Sequence, residues 1–242
     1  MDYEAILRAA EAEADVILWD GGNNDLPFYR PDLHVVVADP HRAGGETSSH
    51  PGETNARLAD VIVINKIDSA SDEMVELVRS HCRELNGRAP ILTARSALAL
   101  EGPPIEGRAV VVVEDGPTLT HGGMTFGAGI VAAGRFGAVL VDPRPYAVGA
   151  IRATLERYPA LEPLIPAMGY GPAQIADLQA TLRATPADLV LVATPIDITR
   201  VLDPGKPVTR VRYELEPTEP ARLEELLAPI VERAQASFAP RA

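Results

Sequence analysis

Acids, amides and glycines crowd Trp19-Asp20-Gly21-Gly22-Asn23-Asn24-Asp25, directly after the apolar run Val16–Trp19. A carboxylate at a strand end can hold magnesium directly or through water, which makes Asp20 a candidate metal ligand and catalytic acid. Asp25 is a second candidate, placed to orient water or a nucleophile. The same residue types also build a simple turn, because Gly, Asn and Asp supply positive φ and Asx bonds. Downstream come Asp39-Pro40-His41-Arg42 and His50-Pro51-Gly52-Glu53-x-Asn55-x-Arg57. His41, Arg42, His50 and Arg57 place four potential cations within 17 residues of an acidic chain. That composition suits a phosphate ester or carboxylate, with His50 also a candidate catalytic residue. The other reading is a solvated loop and helix cap; the His41 to His50 spacing fits no common metal site. Further on, Glu114-Asp115-Gly116-Pro117-Thr118-x-Thr120-His121-Gly122-Gly123 leads toward a helix start at Gly127. Thr118, Thr120, His121, Gly122 and Gly123 form a candidate anion cradle, and Glu114 and Asp115 a candidate metal pair. The alternative is a Gly-rich βα turn.

The elements that must position these residues follow from the spacing of apolar runs. The pattern predicts strands at Val16–Trp19, His34–Ala38, Val61–Ile64, Ile91–Ala94, Ala109–Val113, Ala138–Val141, Leu164–Ala167, Leu189–Ala193 and Val208–Leu215. It predicts helices at Tyr3–Ala14, Glu53–Leu58, Asp72–Leu85, Gly127–Ala133, Tyr146–Arg157, Ala173–Ala184 and Ala221–Ala236. Short strands rich in β-branched residues, alternating with helices, indicate an α/β fold with doubly wound, mostly parallel sheet. The Gly/Pro-rich connector Leu100–Gly107 divides it into a lobe over 1–100 and a second α/β lobe over 108–242. Ligands of such sheets gather outside the carboxyl ends of the strands, where the polar motifs fall.

One strand end is more specific. Val61-Ile62-Val63-Ile64 runs into Asn65-Lys66-Ile67-Asp68, which resembles the base-recognition tetrapeptide of P-loop GTPases. The resemblance implies that Asp68 accepts N–H bonds from a base while Asn65 and Lys66 wall the ring. Ser96, in Thr93-Ala94-Arg95-Ser96-Ala97, stands where such proteins carry a Ser-Ala backbone contact to the base. Asp20, a strand-end acid before glycines, likewise resembles a Walker B element. The phosphate-binding partner is missing from these 242 residues. The two lysines, Lys66 and Lys206, lie outside any G-x-x-x-x-G-K-[ST] loop.

The bulk numbers narrow the class. Hydrophobic content of 46% beside 23% charged residues supplies a real core. A net charge of −12 argues against nucleic acid and anionic membrane as partners. A single Cys82 excludes an internal disulfide and suits a reducing cytoplasm. There is no apolar run of the roughly 18 residues that a spanning helix needs.

Taken in order, WDGGNND, DPHR, HPGE, VINKID, EDGPTLTHGG and ATPIDITR resemble the cyclic 2,3-diphosphoglycerate synthetase family over about Ala14 to Arg212. The resemblance implies a P-loop, GTPase-like fold and a nucleotide-dependent ligase. Its reaction closes 2,3-diphosphoglycerate, a small phosphorylated acid, to a cyclic anhydride with Mg2+ and ATP, or GTP if the base motif decides. It assigns magnesium to Asp20, nucleotide to Asn65 and Asp68, and substrate charge to His41, Arg42, His50, Arg57 and the Thr118–Gly123 loop. Two other readings stay open: a GTPase-like regulatory or metallochaperone protein, and a silent binding module. A missing phosphate loop predicts a fragment of a longer enzyme or a mis-assigned start. An open sheet edge left by missing strands predicts a homodimer.

Overall fold

The computed structural model describes residues 2–22, 25–116, 119–120, 123–167 and 169–236. In chain order the first elements are α1 (Tyr3–Glu13), β1 (Val35–Ala38), α2 (Gly45–Ser48), α3 (Gly52–Leu58), β2 (Val61–Ile64), α4 (Asp72–Leu85), β3 (Ile91–Glu101) and β4 (Ala109–Asp115). They are followed by α5 (Ala128–Arg135), β5 (Val139–Leu140), α6 (Gly149–Arg157), β6 (Leu164–Ala167), α7 (Pro172–Ala184), β7 (Leu189–Ala193), β8 (Val208–Pro217) and α8 (Pro220–Ala236). The residues fall into two compact units, one running to Ser96 and resuming at Leu215, the other spanning Ala97–Glu214. The mostly parallel α/β architecture read from the sequence is what forms. The boundary, however, falls inside β3 rather than after it, and α8 returns to the first unit.

In the first unit β1, β2 and β3 are parallel neighbours, with Val35 opposite Val61 and Ile62 opposite Ile91. All four residues of β2 are buried, because helices cover both faces. On one face lie Val75, Val78 and Cys82 of α4, at helical spacing, against Ile62 and Ile64. Ser71 caps that helix by accepting from Met74 N–H, and Asp72 and Glu73 sit at the positive end of its dipole. On the other face Leu223 and Leu226 of α8 pack on Val61, Val63, Leu92 and Ala94, which is why α8 belongs here.

Asn86 ties this unit together at the far ends of its helices. Its Nδ2 donates to the carbonyls of Ala56, Arg57 and Ala59 at 3.1, 3.2 and 2.8 Å. Its Oδ1 accepts from the N–H groups of Arg88 and Ala89. One buried amide thus closes the ends of α3 and α4 against the start of β2.

The second unit is built around β4, all of whose central valines are buried. It pairs in parallel with β7 on one side and with β5 and β6 on the other, and β8 lies beyond β7. Glu114, near the end of β4, is a buried carboxylate at 3% exposure. Its Oε1 accepts from Gly129 and Ile130 N–H at 2.8 and 3.1 Å, at the start of α5. A Cβ at Gly127 would fall 2.4 Å from the carboxylate, and one at Gly129 would fall 2.6 Å from Val112, so both positions require glycine. Burial pushes the Glu114 carboxyl up to about 7, against the pull of those backbone donors.

Two outcomes follow. Asn86→Ala strands three carbonyls and two amides and is expected to cost about 2–4 kcal/mol, read from chemical denaturation. For Glu114 the folded pKa lies above the ordinary 4.5, so the native state binds the extra proton. Stability therefore falls as pH rises from about 4.5 to about 7, by roughly 3 kcal/mol, and is level above. Glu114→Gln keeps an acceptor for the two amides and should abolish that slope in denaturation curves taken from pH 4.5 to 8.

Candidate functional site

β2 delivers its tetrapeptide to the carboxyl end of the sheet in one fixed shape. Asn65 N–H donates to the Ala38 carbonyl at 3.0 Å, continuing the β1 ladder one residue past the strand. Its Oδ1 then accepts from Lys66 N–H at 2.8 Å. Lys66 turns the chain with φ +59°, a left-handed conformation that a non-glycine residue holds at a cost. The contacts that hold it are evident: Ser69 and Ala70 N–H donate to its carbonyl, and its Nζ donates to Asp39 Oδ2 at 2.5 Å. Asp68 Oδ1 accepts from Ser96 N–H at 3.0 Å, which orients the carboxylate from the end of β3. Asn65, Lys66, Asp68 and Ser96 are therefore brought together at the carboxyl ends of β2 and β3.

Asp39 organises the neighbouring strand end. Besides the Lys66 ammonium it accepts from His41 N–H at 3.0 Å, and His41 Nε2 meets Ser69 Oγ at 2.9 Å. His41 thus joins the base-motif turn. Asp39 was not among the residues singled out from the sequence. Its signal was its place at a strand end, within reach of one of two lysines.

Beside β1 lies a cavity of about 370 Å³, lined within this unit by Asp20, Asp25, Asp39, Glu46, Arg42 and Asn55 among others. Asp25 Oδ2 accepts from Gly22 N–H at 3.0 Å, and its carbonyl accepts from Asn55 Nδ2 at 2.9 Å. The Asn55 Oδ1 atom is buried and has no hydrogen-bond partner among the described residues. Glu46, unmarked in the sequence reading, receives Gly44 N–H and pairs with His81 Nδ1 at 2.5 Å. Burial, then the Glu46 charge, pushes the Cys82 thiol up to about 11, so this cavity-lining thiol is no nucleophile at neutral pH.

The four expected cations do not converge. Arg42 lines the cavity, but Arg57 turns to Glu53 at 2.7 Å, one helical turn away on α3. His50 is exposed at a cis bond to Pro51 and is not among the cavity residues. The charged residues lining the cavity are instead mostly acidic, within a lining that is otherwise largely apolar and glycine. Among the described residues no group of three or more His, Cys, Asp or Glu is arranged to hold a metal by itself. Asp20 and Asp25 both line the cavity, and Asp25 Oδ2 is engaged by Gly22 N–H.

In the second unit, Glu114 spends Oε1 on the amides of α5, a role that leaves it unlike an open metal ligand. Asp115, beside it, is half-buried, and Thr120 Oγ1 donates to the Gly116 carbonyl. Gly123 is exposed with φ +69°, while Thr118, His121 and Gly122, like Asn23 and Asn24, lie outside the described residues. Among the described residues no helix is long and apolar enough to cross a membrane.

Known proteins to which the chain is similar include nucleotide-binding domains and synthetases. Residues 11–93 match the nucleotide-binding domain of the CobW/HypB/UreG family. The chain is 54% identical over 229 residues to arginine synthetase ArcE of Thermococcus kodakarensis, covering 94% of this chain and 51% of ArcE. It is 25% identical over 108 residues to cyclic 2,3-diphosphoglycerate synthetase of Pyrococcus furiosus, covering 45% of this chain and 25% of that protein. The likeness expected from the strand-end motifs is therefore present but partial, and ArcE matches at twice the identity over twice the length. The chain spans about half the length of ArcE and resembles nucleotide-binding domains and synthetases.

Proposed function

We propose that this chain is the base-recognising part of a nucleotide-dependent synthetase. The observation that carries the reading is the Asn65–Asp68 turn, with the Asp68 carboxylate oriented by Ser96 N–H at the end of a fully buried strand. A carboxylate has about four acceptor positions, so the Ser96 bond fixes its direction and is compatible with accepting from a base. Guanine offers two donors side by side, N1–H and the exocyclic amine. Adenine offers one donor beside an acceptor, which a carboxylate repels. The turn therefore favours a guanine nucleotide over ATP.

In this reading Asn65 and Lys66 wall the base, and Asp20 holds magnesium, which neutralises phosphate charge when bound. Asp25 orients the attacking group. The small molecule follows the stronger relative: a precursor with the carbon skeleton of arginine as substrate, and arginine itself as the product the site must also hold. The carboxylates of Asp20, Asp25, Asp39 and Glu46 around one cavity have the right sign for a guanidinium. A second reading, cyclisation of 2,3-diphosphoglycerate, is favoured by the partial similarity to that synthetase and by Arg42 at the cavity.

The test is titration with fluorescent guanine and adenine nucleotides, with magnesium present. Guanine should bind at least tenfold more tightly. Asp68→Asn should weaken guanine tenfold or more, since charge-assisted bonds of about 1.5–3 kcal/mol are lost. The same variant should gain affinity for xanthine, whose C2 carbonyl accepts from the new amide. Equal binding of both bases, unaffected by Asp68→Asn, would remove base recognition from this turn. Adding arginine or 2,3-diphosphoglycerate in parallel then separates the two substrate readings.

A further inference from the structure

The second unit gathers polar groups of its own at the carboxyl ends of its strands. Paired residues of a parallel ladder point to the same face of the sheet, and successive residues alternate. Val113 lies opposite Val192 and Val192 opposite Arg210, so these three share one face. Two residues on, Asp115 and Thr194 stand on that same face, at the ends of β4 and β7. Glu114 pairs with Ala193 on the other face, under α5, where a Cβ at Gly129 would meet both. The chain leaves β4 toward β5 on one side, and leaves β7 toward β8 on the other. Connections that part in this way open the crevice in which α/β sheets bind ligands.

The groups along this crevice run from donor to acceptor. Arg210, on β8, carries five N–H donors on a side chain that is 20% exposed. It reaches only the Pro195 carbonyl at 3.5 Å and Asp197 Oδ2 at 3.9 Å, both too long for strong hydrogen bonds. Asp197 Oδ1 is taken by the Thr199 N–H and hydroxyl at 3.1 and 2.7 Å, while Oδ2 also faces Arg200 Nε at 3.6 Å. Two guanidiniums thus share one carboxylate oxygen, with positive charge and donors to spare. At the end of β7 the buried Thr194 gives its one hydroxyl hydrogen to the Ile196 carbonyl at 2.8 Å, so toward a ligand it can only accept. Asp115 adds a carboxylate on the next strand. Strands lie about 4.8 Å apart, so Asp115 and Arg210 are separated by roughly 10 Å of backbone, less the reach of both side chains.

We propose that this crevice binds the head group of an α-amino acid, with its carboxylate on Arg210 and Arg200 and its ammonium at Asp115 and Thr194. A carboxylate and an ammonium on one carbon match the donor-to-acceptor order. A phosphate, which carries acceptors and negative charge alone, is repelled at the Asp115 end. The choice of an amino acid rests on the reading that the small molecule has the carbon skeleton of arginine.

The test titrates chain 1–242, without nucleotide, with arginine, with norvaline (the same head group on a plain alkyl chain) and with agmatine (arginine without its carboxylate). Heat and the Arg210 Nε–H resonance are both followed. Arginine and norvaline should bind and shift that resonance, and agmatine should bind at least about tenfold more weakly than arginine, for want of the charge-assisted bonds. Arg210→Gln should weaken arginine and norvaline by a similar factor and leave agmatine unchanged. The comparison of the three ligands on the unaltered chain holds even if that variant folds poorly. Arginine binding that is indifferent both to the missing carboxylate and to Arg210→Gln overturns the head-group site, while the arginine reading stands. Norvaline binding without arginine binding keeps the head-group site and removes the arginine reading. Tighter binding of inorganic phosphate than of norvaline, or no binding of any of the three, overturns the proposal.

Discussion

A parallel strand is best supported where both edges and both faces are covered, and among the described residues of the first unit β2 meets all four conditions. Its four residues are buried, β1 and β3 flank it, and α4 and α8 close its faces. The chemistry of this unit is anchored to that strand. Asn86 fixes the elements around its start, and the tetrapeptide at its end inherits a rigid origin. A left-handed Lys66 is tolerable because the strand before it cannot move to relieve the strain.

How legible this was depends on the range of the interactions. The β2 turn was readable because apolar run, tetrapeptide and following helix are contiguous, and local order carried the geometry. Val61–Ile64 and Asp72–Leu85 form where apolar periodicity put them. Val16–Trp19 carried the same apolar signal and formed no strand, because strand formation depends on a neighbour that composition cannot reveal. Leu18 at 90% exposure measures that dependence. β3 overran its expected end by several residues, since pairing rather than propensity sets where a strand stops.

The charged residues were harder to read for a related reason. Counting cations between His41 and Arg57 suggested one basic pocket. The structure gives Arg57 to Glu53 on its own helix and His41 to Ser69, leaving Arg42 at a cavity where carboxylates outnumber cations. Local ion pairing dispersed what sequence proximity had grouped. Glu114 shows the converse: its position at a strand end marked it as special, but helix amides and burial took up the carboxylate that a metal would have used. Asp39, just after β1, and Glu46, in the short helix α2, have partners 27 and 35 residues away in sequence.

The Asp39–Lys66 pair links the two halves of the first unit's chemistry. Asp39 stands at the end of β1, whose outer edge has no paired strand among the described residues, and Lys66 belongs to the turn after β2. Both side chains are partly buried, so their attraction is less screened than that of a surface pair. The pair therefore couples the position of the β1 end to the left-handed turn at Lys66.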